Sequence, residues 1–152
     1  MHAIRSFVWI TVAAALVACA SKLTGDVEYD PAVDFARFRT FQFAPPPDAQ
    51  RDNPNWGVAR EEIEKALVAK GLKRADGADL VVHYTVGTRA KVRVSGASSS
   101  GKHGGLVVEL RDPKSHQTLW HGWAAETWYD SMDPAVEIRE AVALILAQYP
   151  PK

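Results

Sequence analysis

Ala78-Asp79-Leu80-Val81-Val82-His83-Tyr84-Thr85-Val86 is the stretch from which the fold of this chain can be read. Its alternation places Leu80, Val82, Tyr84 and Val86 on one face and Val81, His83 and Thr85 on the other. Apolar side chains on both sides predict a strand in the interior of a sheet. Upstream, Arg39 to Phe43 also alternates, with Phe41 and Phe43 on one face and Thr40 and Gln42 on the other, and predicts a half-buried strand. Before it, Asp34 stands where its side chain can cap a single helical turn in Asp34-Phe35-Ala36-Arg37-Phe38. Val27-Glu28-Tyr29-Asp30-Pro31 reads as a short strand followed by a turn.

Two amphipathic stretches supply the helices. Asn55 is placed to cap a helix from about Trp56 to Lys70, with Ala59, Ile63, Ala66 and Leu67 on one stripe and Gly71 as a left-handed stop. Arg60, Glu61, Glu64 and Lys65 lie mostly off that stripe. Near the end of the chain Asp133 caps and Pro134 occupies the first helical position, where a missing amide costs nothing. Ile138, Ala141, Val142, Ile145, Leu146 and Tyr149 then form an apolar stripe, and Pro150 and Pro151 stop the helix. Between the helices, Leu106 to Arg111, the turn Asp112-Pro113-Lys114-Ser115, and Gln117 to Thr127 form a hairpin. The proline-rich connection from Ala44 to Asn55 reads as a crossing over the edge of the sheet, with a functional loop as the alternative. The expected class is therefore α+β: a largely antiparallel sheet of about five strands with two amphipathic helices packed on one face.

The first nineteen residues concern the chain's address. Arg5 provides a positive start, Phe7 to Val17 an apolar run broken only by Thr11, and Ala18 a small residue before Cys19. The run is shorter than the roughly 20 apolar residues a membrane span needs, so it reads as a leader. Leu16-Val17-Ala18-Cys19 resembles the lipobox of bacterial lipoproteins. That resemblance implies removal of residues 1–18, diacylglycerol on the Cys19 sulfur and acylation of the freed amine. An ordinary leader with a cysteine near its cleavage site is the alternative. Ala20 follows Cys19 where an aspartate would signal retention at the inner membrane in such lipoproteins, so the resemblance implies the outer membrane, facing the periplasm. Residues 19–26 then read as a lipidated tether and 27–152 as a single domain.

Composition narrows the function classes. Cys19 is the only cysteine, which excludes an intramolecular disulfide. Eighteen basic and eighteen acidic residues balance, so no global field draws the chain to nucleic acid. Arg89, Lys91 and Arg93 alternate with Ala90, Val92 and Val94 and present a basic face that an anionic envelope partner would meet. Solvation, or pairing with a carboxylate such as Glu109 on a neighbouring strand, is the plainer reading. In Leu119-Trp120-His121-Gly122-Trp123-Ala124 the two tryptophans fall on opposite faces. One of them, Trp123, is thus a candidate for stacking on a sugar or a partner chain, against a purely structural role. Gly122 is a place where a ring or a backbone can approach closely.

Other motifs lead nowhere. Gly96, Gly101 and Lys102 have the spacing of a phosphate-binding loop, but His103 replaces the Ser or Thr that holds magnesium and a strand follows instead of a helix. Nucleotide binding is not expected. His83, His103, His116 and His121 lack metal-ligand spacing, and Ser98, Ser99, Ser100 and His103 share only a glycine-rich loop that preorganises nothing. No catalytic residue, metal or cofactor is expected beyond the lipid on Cys19.

The leader, Tyr29-Asp30, Asp34-Phe35 through Phe41, Ala78-Asp79-Leu80, Trp120-His121-Gly122-Trp123-Ala124 and a last helix ending Tyr149-Pro150 resemble domain of unknown function 4136. That is a family of small bacterial envelope lipoproteins. The resemblance implies an anchor, an envelope compartment and an α+β domain, and brings no activity. The expected function is a non-catalytic binding or structural module that meets the membrane through its lipid and an envelope protein or polysaccharide through its surface. A passive structural lipoprotein and a hydrolase acting on cell-wall material are the alternatives.

Overall fold

The computed structural model describes residues 23–87, 103–127 and 133–151. Six strands form one sheet: β1 Thr24–Tyr29, β2 Thr40–Phe43, β3 Lys73–Arg74, β4 Leu80–Gly87, β5 His103–Arg111 and β6 Thr118–Thr127. Their order across the sheet is β1-β6-β5-β4-β2-β3. Two helices, α1 (Asn55–Ala69) and α2 (Pro134–Leu146), lie side by side on one face, α1 against β3 and β4 and α2 against β6, β5 and β1. The α+β class is as expected.

β4 is interior, flanked by β5 and β2. Leu80, Val82, Tyr84 and Val86 are buried beneath the helices, whereas Val81 and His83 on the other face are half-buried and Thr85 is exposed. The strand's second apolar face therefore marks a sheet face over which no helix of the described residues lies.

The sheet has six strands, not about five, and is mixed, with its longer ladders antiparallel. β1, β6, β5 and β4 pair antiparallel, but β2 runs parallel to both β3 and β4. The reason is α1: a helix between β2 and β3 carries the chain back along the sheet, so the next strand runs in the same direction as β2. The added strand, β3, is only two residues long and follows the turn at Gly71, whose φ of 90° is the left-handed conformation expected of the stop. β1 begins at Thr24, three residues before the expected start, because Thr24, Gly25 and Asp26 already pair with Ala125, Ala124 and Trp123.

The parallel joint between β2 and β4 is clipped by one side chain. Asp79 Oδ2 accepts from the backbone amides of Arg39 (2.9 Å) and Thr40 (3.0 Å) and from the Thr40 hydroxyl (2.9 Å), while Thr40 Oγ1 accepts from the Asp79 amide. These donors hold the Asp79 carboxyl below its ordinary value, the Arg39 amide contributing most. Asp79 thereby fixes where β4 starts relative to β2.

Both helix starts follow from local chemistry, one of them a residue before the expected place. Asp133 caps α2 by accepting from the Ala135 amide at 2.9 Å, with Pro134 following it. At α1 Asn55 is already helical; Pro54 precedes it, and the side chain of Asn53 accepts from the Asn55 amide at 3.0 Å. Asp34 does cap a single turn, accepting from Ala36 at 3.0 Å ahead of a 3-10 turn over Phe35–Arg37.

The core joins the scattered aromatics of the chain. Tyr149, just beyond α2, lies edge-on to both Phe35 (5.9 Å) and Trp120 (5.8 Å), and Phe35 meets Phe38 at 6.0 Å. All four rings are buried, so the Asp34-Phe35, Trp120 and Tyr149-Pro150 segments are distant in sequence and adjacent in space. Edge-to-face pairs of this kind add about 0.5–1.5 kcal/mol each beyond the burial of their area. Gly122 is the close approach expected of it, since a Cβ there would fall 2.5 Å from both Ile145 Cγ2 and Trp120 Cη2.

Candidate functional site

The uncovered face of the sheet is where the described part of the chain presents chemistry. Side chains alternate along a strand, so residues one position away from the buried set all point to this face. Register then aligns them in rows across the strands. One row reads Glu28, His121, Glu109, His83 across β1, β6, β5 and β4. The next reads Asp26, Trp123, Val107, Thr85. Arg111 stands opposite Val81, beyond the first row.

Trp123 is half-buried on this face, while Trp120 is fully buried on the other. The opposite-face reading of the pair holds, and Trp123 is the member available to a ligand. Among the described residues Glu109 is paired with Arg111, whose Nη2 donates to its Oε2 at 2.6 Å, and the Thr118 hydroxyl reaches its Oε1 at 3.5 Å. The pair is partly buried, at 33% and 25% side-chain exposure for Arg111 and Glu109, which screens it less than a surface pair. His83, opposite Glu109 in register, has its pKa lowered, first by burial and then by the positive charge of Arg111, which favours its neutral form.

Where the proline-rich connection passes the free edge of β4, it walls off a cavity of about 230 Å³. Pro45, Pro47 and Trp56 form one side; His83, Glu109 and Arg111 are among the residues on the other. The connection is tied to β4 by side chains: Gln50 Oε1 accepts from the Val86 amide at 3.1 Å and Asn53 Nδ2 donates to the Val86 carbonyl at 2.7 Å. Trp56 stacks on Tyr84 at 3.8 Å, and the Tyr84 hydroxyl donates to the Trp56 carbonyl at 3.2 Å. The connection is thus the edge crossing that was expected, and it also builds a wall.

The remaining expected site residues fall elsewhere. Leu16, Val17, Ala18 and Cys19 lie outside the described residues, as do Arg89, Lys91 and Arg93 and the phosphate-loop lookalike Gly96, Gly101 and Lys102. Sequence reasoning did not single out Arg111, nor the joining of His83 with Glu109, because both depend on register across strands. Among the described residues there is no cluster of three or more His, Cys, Asp or Glu side chains able to hold a metal ion, and no helix long and apolar enough to cross a membrane.

A six-stranded mixed sheet with two helices on one face, and a second, aromatic and polar face left uncovered by the described residues, defines a small α+β domain. The chain belongs to the family described as domain of unknown function DUF4136, whose model matches residues 26–151. No curated protein matches it. Among solved structures it is similar to a PDZ domain protein from Parabacteroides distasonis ATCC 8503, with a TM-score of 0.67 and 21% identity over 84% of this chain. This chain spans only 35% of that protein. It is also similar to a PelC dodecamer from Paraburkholderia phytofirmans, with a TM-score of 0.57 and 18% identity over 82% of this chain and 95% of that one. A point variant of the PelC dodecamer from the same organism gives 0.56 and 19% over the same shares. At these identities the likeness establishes the fold.

Proposed function

We propose that this protein is a lipid-anchored module of the bacterial envelope, held at the periplasmic face of the outer membrane by acyl chains on Cys19, that binds another envelope component without catalysing a reaction. The observation that carries the anchor is Leu16-Val17-Ala18-Cys19 behind the apolar run Phe7 to Val17. A single acyl chain binds marginally, at about 0.8 kcal/mol per buried methylene, and two or more anchor stably. A triply acylated Cys19 keeps the domain at the membrane without a spanning helix. What supports the binding half is the uncovered sheet face, where Trp123, His83, Glu109 and Arg111 are presented together.

Intact-mass measurement of the native protein tests the anchor: the expected species lacks residues 1–18 and carries lipid on Cys19, and a free thiol there refutes it. A Cys19→Ser domain released into the periplasm tests the binding half. Reproducible enrichment of one envelope component that Trp123→Leu abolishes supports it; no reproducible enrichment favours the passive reading. Turnover of muropeptides by the purified protein would establish the hydrolase instead.

A further inference from the structure

We propose that the cavity between Pro45, Pro47 and the open sheet face is a subsite for one uncharged pyranose ring of a glycan, with the adjoining ring lying toward Trp123. This deepens the binding reading above and rests on it only for where the glycan comes from.

Charge balance is the first argument. Arg111 and Glu109 cancel in a 2.6 Å ion pair, and the burial of His83 opposite Glu109 favours its neutral ring. A carboxylate or an ammonium entering the cavity would lose water and find its counter-charge already committed. An uncharged ligand meets no such cost.

Donor and acceptor inventory is the second. Arg111 lines the cavity with Nη2 engaged by Glu109 and Nε closed off from solvent, so the free capacity lies with its neighbours. Glu109 Oε1 receives only a long contact from Thr118, so it retains accepting capacity, and the neutral His83 ring offers one donor and one acceptor. Thr85 adds a hydroxyl. An apolar side chain would satisfy none of these groups. A ring carrying hydroxyls on its rim, each both donor and acceptor, satisfies them in either sense, while its C–H face suits the indole of Trp56.

Size and direction complete the case. At about 230 Å³ the cavity is smaller than the roughly 300–1,000 Å³ of sites for drug-sized ligands, so it holds one ring. The row Thr85, Val107, Trp123 leads out of it along the open face. Neighbouring strands are about 4.8 Å apart, which places Trp123 roughly 10 Å from Thr85 and within reach of a following ring.

The test uses the mature lipoprotein in detergent micelles with its tryptophan indoles labelled for NMR. It is titrated with chitotriose as the neutral probe, chitosan trisaccharide as the cationic one and trigalacturonate as the anionic one. Expected are millimolar binding of chitotriose with shifts at Trp56 and Trp123, binding of both charged trisaccharides at least tenfold weaker, and a fivefold or greater loss in Arg111→Lys. Trp123→Leu and Thr85→Ala, whose side chains lie off the core, weaken it while leaving the amide spectrum folded. Preference for a charged trisaccharide, or chitotriose binding untouched by Arg111→Lys and Thr85→Ala, overturns the assignment. Absence of chitotriose binding also overturns it, yet leaves the capture of an envelope partner standing; a free thiol at Cys19 refutes the anchor and leaves the subsite standing.

Discussion

Gly122→Ala is the most searching perturbation of the fold because a single methyl lands between two immobile groups. The added Cβ would sit 2.5 Å from Ile145 Cγ2 on α2 and 2.5 Å from Trp120 Cη2, where ordinary contact is 3.4–4 Å. About 1 Å must be found, and neither neighbour is the loose end of an exposed side chain: both Ile145 and Trp120 are fully buried. Overpacking of this kind costs about 1–3 kcal/mol. Replacing glycine within a strand returns about 0.5–1 kcal/mol of backbone entropy, so the net expectation is a loss of about 1–2 kcal/mol. Urea unfolding of the Cys19→Ser protein, followed by far-ultraviolet circular dichroism, would read this as a lower midpoint at unchanged slope. Ile145→Ala costs about 2–5 kcal/mol alone, but removes one of the two obstructing atoms. The double variant should therefore be less destabilised than the sum of the singles, by roughly 0.5–1 kcal/mol. A midpoint for Gly122→Ala equal to or above the parent's would refute the seating of α2 on β6.

Other perturbations probe the clips and the anchoring ring. Asp79→Ala removes the acceptor shared by Arg39 and Thr40 and should lower the urea midpoint. Because the Asp79 pKa is held below 3.8, its contribution is present above that value and fades as pH falls through the lowered one; Asp79→Asn should accordingly flatten the acid limb of a stability–pH curve. Asp133→Ala deletes the α2 cap and should cost about 0.5–2 kcal/mol in the same unfolding assay. Burial pushes the Tyr149 phenol up to about 12, so the stability it confers is full below pH 10 and is lost as pH rises toward 12. Phenolate absorbance should show Tyr149→Phe missing one late-titrating group and resisting alkali better than the parent.

How far these features could be read from the chain depended on how local their causes are. The β4 alternation and the Ile138-Ala141-Val142-Ile145 stripe of α2 repeat within one element, so periodicity revealed both. Asp133-Pro134 and Gly71 are cap and stop signals whose chemistry acts within a few residues, and both work as written. The start of α1 slipped because Asn53-Pro54-Asn55 offers two candidate caps around a proline, and the side chain that bonds is the earlier one. The parallel pairing of β2 was hidden for a different reason: direction is set by the intervening helix, and β3 is too short at two residues to show any period. At the site, parity alone separated Trp123 from Trp120. Arg111, Glu109 and His83 needed the register of two strand pairs, and the cavity needed the path of the Pro45 to Pro47 segment as well, neither of which is written in a local pattern.

The claim that the helix-free sheet face is the working surface can be tested in living cells with a photoreactive phenylalanine analogue in the lipidated protein. Placed at Trp123 or Thr85 it should give a discrete adduct on irradiation, and placed at exposed Glu61 on α1 it should give none. An adduct from Glu61 with none from Trp123 or Thr85 would contradict the account, as would the same adduct from all three.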